Sequence, residues 1–535
     1  MTVRTRFAPS PTGYLHIGGV RTALFNWLFA KRHGGQFLLR IDDTDQQRNI
    51  ESALQPILDG FRWLGIDWDE GPEVDGPYAP YYQSQRNDRY QAAVDQLLER
   101  GLAYRDYATS EEIQDERSQA EAAKIDFLYS RKWMADSEEK EAAWKAEGRS
   151  SVVRLKMPRE GQCAFKDLIR GDQVYDWAKE QDHVIQRADG SFIYHLASVV
   201  DDLDFKITHV IRAIEHLSNT PRQIFIAQSL VTEGQTVPEF AHIPFVAEPG
   251  SKTKLSKRKI GNYLKRKEFK SMVDHGLAIA QQMGKTVDAE SFNPVLIDFY
   301  REVGYLPSAI LNYLLLLGWS LDDKTEDFTV PEMMEAFSLD RVVKSPASFD
   351  PEKLATFQTR HMMRCSVEER RQLVTPFLHG AGLVPAGNYD ALPSEVQAKI
   401  HGIVQHSGDR IKVAGDVLQF DDFFRSAEKL DYDDKAFEKR LVKPEEAGHL
   451  VTEFAKVLSA QDDFSAPALK IALEGFCETM DIKIGQIIHA LRVAATGRAV
   501  GFGMFETLEV LGKAETLKRI EQSLRRLEQV RADQV

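Results

Sequence analysis

Cysteine is scarce in this chain. The three residues, Cys163, Cys365 and Cys477, stand far apart among 535. Neither a disulfide framework nor the paired spacing of a structural zinc site can be built from them, and a reducing compartment is expected. Long apolar runs are missing too. The most hydrophobic stretch, Ile310 to Trp319, is too short to span a bilayer, and the opening residues around Arg4 and Arg6 hold no apolar signal core. Neither export nor membrane insertion is expected, and the cytoplasm is the expected location. An excess of positive charge is also lacking. A net charge of -13 gives no global signature of nucleic-acid binding, so any polyanion partner must be held by local basic patches. No internal repeat or low-complexity segment occurs.

What is present is a chain too long for one core, with 43% hydrophobic residues, enough to fill several. Val3 to Ala8, Val20 to Arg32 and Gln36 to Ile41 read as strand, helix and strand, a βαβ opening that implies a parallel sheet. A charged helical stretch from Thr109 to Arg149 and an alternating segment from Ser151 to Met157 suggest an inserted α and β module. Strand character is expected to return at Ile193 to Val200 and Ile207 to Ile211, with a helix opening at Pro221. Beyond about residue 335 the pattern is helical. It closes on a helix with Leu517, Ile520, Leu524 and Leu527 on one face.

Three segments carry chemistry. The first, RFAPSPTGYLHIGG from Arg6 to Gly19, puts prolines and glycines between a strand and a helix. Such a turn lets backbone N–H groups approach an anion, His16 can donate to a phosphate oxygen, and Gly18 and Gly19 clear space for a nucleoside. Alone, the His-x-Gly-Gly core reads more readily as an ordinary strand-to-helix turn with a surface histidine. The second is the stretch from Lys252 to Lys270, with nine Lys or Arg residues against one acid, Glu268, including KLSKR at Lys254 to Arg258. Taken alone it reads as a solvated basic face; beside a nucleotide, it would neutralise growing pyrophosphate charge. The third, YHLASVVDDLDFKITHVIRAIEHLSNTPRQ from Tyr194 to Gln223, combines apolar residues with Arg212, Glu215 and His216.

Taken together, the strings resemble the signatures of bacterial-type glutamyl-tRNA synthetases. Arg6 to Asp45 resembles the family's opening, KLSKR its Lys-Met-Ser-Lys-Ser loop, Arg301 to Ser320 its stem-contact region and Leu491 to Glu521 its C-terminal signature. The resemblance implies an α/β class I synthetase fold: a Rossmann-like parallel sheet, split by an α+β acceptor-binding module and followed by an all-α anticodon-binding half. The boundaries expected are 1–105 and 193–250 for the two halves of the catalytic domain, 106–192 for the inserted module, 251–335 for the lysine loop, insertion and stem-contact region, and 336–535 for the helical half.

It further implies ATP-dependent ligation of L-glutamate to tRNA(Glu) through a glutamyl-adenylate, with magnesium accompanying ATP, by a monomer. His16, Lys254 and Lys257 are the implied catalytic groups. Arg6, Ser10, Asp42, Tyr194 and Arg212 are the implied glutamate ligands, and His16, Gly18, Glu215, Lys254 and Lys257 the ATP ligands. Arg212 would fork onto the substrate's side-chain carboxylate. Individually, Arg6 and Arg212 are also readable as surface ion pairs and Asp42 as a strand-end cap. The chain departs from the family pattern at Asp42, where many relatives have Glu, and at Ala213-Ile214, where Gly and an acid are commoner. Zinc is expected to be absent, because Asp106 and Ala108 stand where relatives carry a Cys-x-Cys pair. The stretch from Leu264 to Leu296 reads as an extra insertion, whose Lys265, Arg266 and Lys267 would add tRNA backbone contacts. The rivals are a glutaminyl enzyme, which would end in a β-rich half, a short paralogue without the helical half, an inactive tRNA-binding module and a small-acid nucleotidyltransferase.

Overall fold

A computed structural model describes residues 2–11, 13–44, 54–256, 259–288 and 292–533. Thr12 and Asp45 of the first motif, and Lys257 and Arg258 of the basic loop, lie outside the described residues. Backbone contacts divide the chain into two compact units, one of Met1–Lys265, Glu290–Asp298 and Pro307–Pro351, the other of Arg266–Ala289, Phe299–Leu306 and Glu352–Val535.

The first unit opens as expected, on β1 (Arg4–Phe7), α1 (Ile17–Arg32) and β2 (Gln36–Leu39), with β1 and β2 parallel and Arg4 opposite Gln36. The chain turns sharply after α1. Gly34 takes φ +59°, and a Cβ on Gly35 would lie 2.1 Å from the Val3 carbonyl oxygen, so only glycine fits there. Most of α1 is buried. Its polar Asn26 is tolerated inside because it sews three elements: Thr5 Oγ1 donates to its carbonyl at 2.9 Å, and its Nδ2 donates to the carbonyl of Ile211 at 2.9 Å.

After α2 (Leu54–Leu64) and α3 (Asn87–Glu99) come β3 (Ala103–Asp106), α4 (Ser110–Ala122), α5 (Glu138–Ala146), β4 (Val152–Leu155), β5 (Gln162–Asp167), β6 (Gly171–Asp176) and β7 (Val184–Gln186). Neither α4 nor α5 buries a residue; α4 is held at its start by a capping box between Thr109 and Glu112. Strands β3, β4 and β7 form an antiparallel sheet. The β5–β6 hairpin joins a different sheet, through Asp167 opposite Phe240.

The stretch Ile193 to Val200, expected as a strand, is helical: α6 spans Tyr194–Asp204. Leu196, Ala197, Val199, Val200 and Leu203 are all buried in a core shared with α3 and the helix α7 (Thr220–Leu230). Its polar face, with Ser198, Asp201 and Asp202, is buried as well, so the solvent-facing stripe that marks a surface helix is missing and the short apolar run mimics a buried strand. Strands β8 (His209–Ala213) and β9 (Glu239–Ile243) are parallel, with Arg212 opposite His242. The strand run ends on a short parallel pair, β10 (Val246–Ala247) and β11 (Ala347–Ser348).

The second unit is helical among its described residues. Helices Ala447–Ala460, Ala466–Thr479, Ile488–Thr496, Met504–Leu511 and Lys513–Ala532 bury Phe454, Leu473, Leu491, Leu508 and Ile520. In the last helix the inward stripe is rotated from the expected leucine face. Thr516, Arg519, Ile520, Ser523 and Leu527 are buried, while Leu517 and Leu524 are half-buried. Arg519 decides that rotation: its Nη2 donates to the carbonyls of Asp422 and Arg425 at 2.7 Å each, capping otherwise open backbone groups. The insertion supplies this unit with a helix, Lys267–Gln282, that buries Phe269, Met272, Val273 and Ile279.

Candidate active site

The ends of β1, β8 and β9 and the start of α1 surround a cavity of about 330 Å³. Of the residues singled out in the sequence, Arg6, His16, Gly18, Asp42, Tyr194, Arg212, Glu215 and Lys254 line it. Ser10 does not; it is exposed on the loop after β1.

His16 is the N-cap of α1, and its Nδ1 accepts from the Gly18 N–H at 3.0 Å. Burial, reinforced by the charge of Lys254, pushes its pKa down to about 4. A neutral ring whose Nδ1 accepts must carry its proton on Nε2, so His16 offers one donor away from the helix. The backbone donors expected to meet an anion are already engaged: the N–H of Ile17 reaches the Val295 carbonyl at 2.9 Å, and those of Gly19 and Val20 reach the His16 carbonyl. An anion at this turn would therefore meet side chains and the positive end of the helix dipole rather than free backbone donors. A Cβ on Gly18 would lie 3.2 Å from His16 Nδ1 and crowd the cap.

The cationic side of the mouth is Lys254, whose ammonium bonds the Glu215 carboxylate from the 3-10 turn Ile214–Asn219. Burial would raise the Glu215 pKa, but Lys254 outweighs it and holds it below the ordinary value.

Under the cavity lies a buried ionic lattice. Arg6 forks onto Asp202 at 3.0 and 3.1 Å. Arg40 forks onto Asp42 at 2.7 and 3.3 Å and also reaches Asp202 at 2.9 Å. Arg86 bonds Asp201 and Asp204 at 2.6 Å each. Burial opposes the Arg40 charge, and the surrounding aspartates hold it. Burial also pushes the Asp42 carboxyl up to about 6 despite Arg40. Removing one partner from such a lattice leaves a stranded charge, a cost of about 3–5 kcal/mol.

Arg212 differs from these arginines. It is 6% exposed, and its acceptors are all neutral: His242 Nε2 at 3.0 Å, Gln223 Oε1 at 2.6 Å, Thr220 Oγ1 at 2.9 Å and the His216 carbonyl at 3.2 Å. Burial brings its pKa down to about 10, with Tyr194 opposing the fall. A guanidinium that is buried, cavity-lining and bonded only to neutral groups keeps its charge unmatched and is suited to an anion. Arg21 is a second uncompensated cation in the lining; it donates to the Pro244 carbonyl at 2.6 Å, and burial lowers its pKa to about 9.

Residues 2–287 and 290–356 match the family of tRNA synthetases class I (E and Q), catalytic domain, and residues 370–524 match an anticodon binding domain. The glutamate–tRNA ligase of Moorella thermoacetica is 38% identical, over 98% of both chains, and glutamate–tRNA ligase 1 of Caldanaerobacter subterraneus subsp. tengcongensis is 39% identical over the same shares. The chain belongs to the glutamate–tRNA ligase family. A glutamate–tRNA ligase from Elizabethkingia meningosepticum, solved in complex with its amino acid, superposes with a TM-score of 0.81 at 31% identity, covering 98% of this chain and all of that one. The fold is accordingly that of a class I catalytic domain followed by a helical anticodon-binding domain.

Within this glutamate–tRNA ligase family site, sequence reading missed Arg21, Arg40, Asp202 and His242. Arg40 and Asp202 sit inside the quoted motifs, and the available signal was charge placed in otherwise apolar segments, Phe37 to Ile41 and Leu196 to Leu203. His242 lies in β9, outside any quoted string. The glutaminyl-type rival with a β-rich second half is set aside by the helices of the second unit. Among the described residues no helix is long and apolar enough to cross a membrane.

Proposed function

We propose that this cavity binds L-glutamate and ATP together and that the chain ligates glutamate to tRNA(Glu) through a glutamyl-adenylate. The observation that carries the reading is Arg212, a buried guanidinium with neutral partners only, in the same cavity as His16 and Lys254. Arg212 and Tyr194 would receive the side-chain carboxylate, and Arg6, held rigid by Asp202, would lie beside the reacting end. Asp42 is fixed by Arg40 and would meet the substrate ammonium. Neutral glutamine would leave the Arg212 charge unmatched, which is the source of discrimination. Ser10, being exposed and outside the lining, is the weakest member of the expected set.

In the first step an oxygen of the glutamate α-carboxylate bonds to the α-phosphorus of ATP, the bond to the bridging oxygen breaks, and pyrophosphate leaves. His16 Nε2–H and Lys254 stabilise the charge that grows on the phosphates, with Lys257 assigned the same work by its motif. Glu215 holds Lys254 until the phosphates compete for it. In the second step a hydroxyl of the terminal tRNA ribose attacks the glutamyl carbonyl and AMP leaves. No protein nucleophile is required; positioning does the work. The described residues group no three His, Cys, Asp or Glu side chains into a metal cage. Magnesium would travel with ATP, held by its phosphates. A monomer acting in the cytoplasm is part of the same proposal.

The test is ATP–pyrophosphate exchange and tRNA glutamylation by the full chain, with glutamate, ATP and tRNA(Glu) present. Exchange that requires glutamate, and that Arg212→Leu abolishes, is the expected outcome. Correctly folded protein that gives no exchange overturns the proposal.

A further inference from the structure

The arginine that faces substrate has a second layer behind it. Arg212 on β8 and His242 on β9 are register partners across a parallel pair, and Arg212 Nε donates to His242 Nε2 at 3.0 Å. The other ring nitrogen, Nδ1, lies 2.6 Å from Asp167 Oδ2, with both side chains fully enclosed. Asp167, the last residue of β5, is itself immobilised: its Oδ1 accepts the backbone N–H groups of Ile169 at 2.9 Å and Arg170 at 2.8 Å. Phe240, two residues before His242 on the same face of β9, stacks parallel to its ring at 6.2 Å and lies 5.4 Å beneath the Arg212 guanidinium.

The hydrogen bonds admit one protonation state of the ring. Burial keeps His242 neutral against the pull of Asp167, so the imidazole has one N–H and one lone pair. Arg212 Nε–H can only donate, so Nε2 must be the acceptor. Nδ1 must then carry the proton, and it donates to Asp167. On the far side, Gln223 is oriented by its own Nε2–H, which donates to Ser198 Oγ at 3.0 Å and turns the amide oxygen toward Arg212 Nη1.

We propose that Asp167 and His242 are positioning residues for amino-acid recognition: Asp167 locks the His242 tautomer, and the locked ring fixes which edge of Arg212 is offered to the substrate carboxylate. This rests on the reading of Arg212 as the glutamate-binding arginine. The arrangement answers a physical conflict. A carboxylate bonded directly to Arg212 would orient it but would also neutralise it and compete with substrate. A neutral ring between them passes on the orientation and keeps the negative charge one imidazole away.

The test uses the full-length enzyme in tRNA(Glu) glutamylation, reading KM for glutamate and for ATP separately. Asp167→Asn lets the ring take the opposite tautomer, which sets two N–H groups against each other at Arg212. It should raise KM for glutamate roughly ten- to hundred-fold, leave KM for ATP unchanged and narrow the preference for glutamate over glutamine. His242→Gln supplies an amide oxygen in place of Nε2 and needs no tautomer, so it should cost only a few-fold. In that background Asp167→Asn should add little further loss. Equal loss from Asp167→Asn in both backgrounds, or a loss shared by both KM values, overturns the proposal. If Asp167→Asn fails to fold, ¹⁵N NMR of histidine-labelled wild type decides, with the His242 signal assigned by its disappearance in His242→Gln. The Nδ1–H form supports the proposal and the Nε2–H form overturns it. Absence of glutamylation by the wild type would instead refute the functional reading, and the NMR result would still stand on its own.

Discussion

His16 does two jobs with one ring, and substitution can separate them. Its Nδ1 caps α1, while its Nε2–H is left for a phosphate oxygen. Asparagine is a good N-cap but has no donor at the Nε2 position. His16→Asn should therefore keep the melting temperature and slow glutamate-dependent pyrophosphate exchange by roughly a hundred-fold, the scale of one lost charge-stabilising donor. His16→Ala should lose the same activity and, in addition, about 1 kcal/mol of stability in urea melts. Equal stability of the two variants would refute the capping role. Because burial has already brought the ring's pKa down to about 4, His16 stays neutral across the working range and contributes no limb to the pH profile between pH 6 and 8. Motif spelling made His16, Gly18, Arg212 and Lys254 legible in advance, since each lies in a string with a recognisable chemical pattern. The pairing of Arg40 with Asp202 was not legible, because it depends on where α6 comes to rest, and that approach is set by packing over more than 150 residues.

Among the elements, the reading succeeded where periodicity was clean and failed where burial erased it. The βαβ opening was readable because glycines punctuate it at Gly18, Gly19, Gly34 and Gly35. In contrast, α6 is buried on its polar face as well as its apolar one, and its short apolar run read as a strand. The insertion shows what one buried face gives to an element whose purpose the sequence left open. Helix Lys267–Gln282 turns Phe269, Met272 and Val273 inward, and a Cβ on Gly276 would lie 2.6 Å from the Phe299 ring. His275 Nε2 then pins the helix to Asp416 Oδ1 at 2.6 Å. The hydrogen bond and charge of Asp416 raise the His275 pKa above its ordinary value, against burial and Lys412. A histidine raised on folding contributes stability that is fully present below about pH 6.5 and is lost as pH rises through the folded value. The ring is partly exposed, so the effect is small. Thermal melts should show wild type exceeding His275→Gln by about 1–2 °C at pH 6 and by less at pH 9. A gap that widens toward pH 9 would be inconsistent with a charged pin.

For the molecule as a whole, the electrostatic problem is that a chain with a net charge of -13 must hold a polyanion. Global attraction cannot do this, so the cations that meet tRNA must be clustered and must not be spent on internal acids. Three of the buried arginines are spent in that way: Arg6, Arg40 and Arg86 each face aspartates. In the stretch from Lys252 to Lys270, Lys254, Lys259 and Lys270 pair with Glu215, Glu248 and Asp274, whereas Lys265, Arg266 and Lys267 are exposed. Each phosphate contact made by such a residue releases condensed counterions, so log K falls with log salt in proportion to the contacts made. Replacing Lys265, Arg266 and Lys267 together by alanine should weaken tRNA(Glu) binding at low salt. It should also flatten the salt dependence by about 2–3 in slope, with KM for glutamate and for ATP unchanged. Filter binding across a salt series measures the slope directly. An unaltered slope would mean that these three cations never touch the backbone, and the insertion would then be a packing element of the helical unit alone.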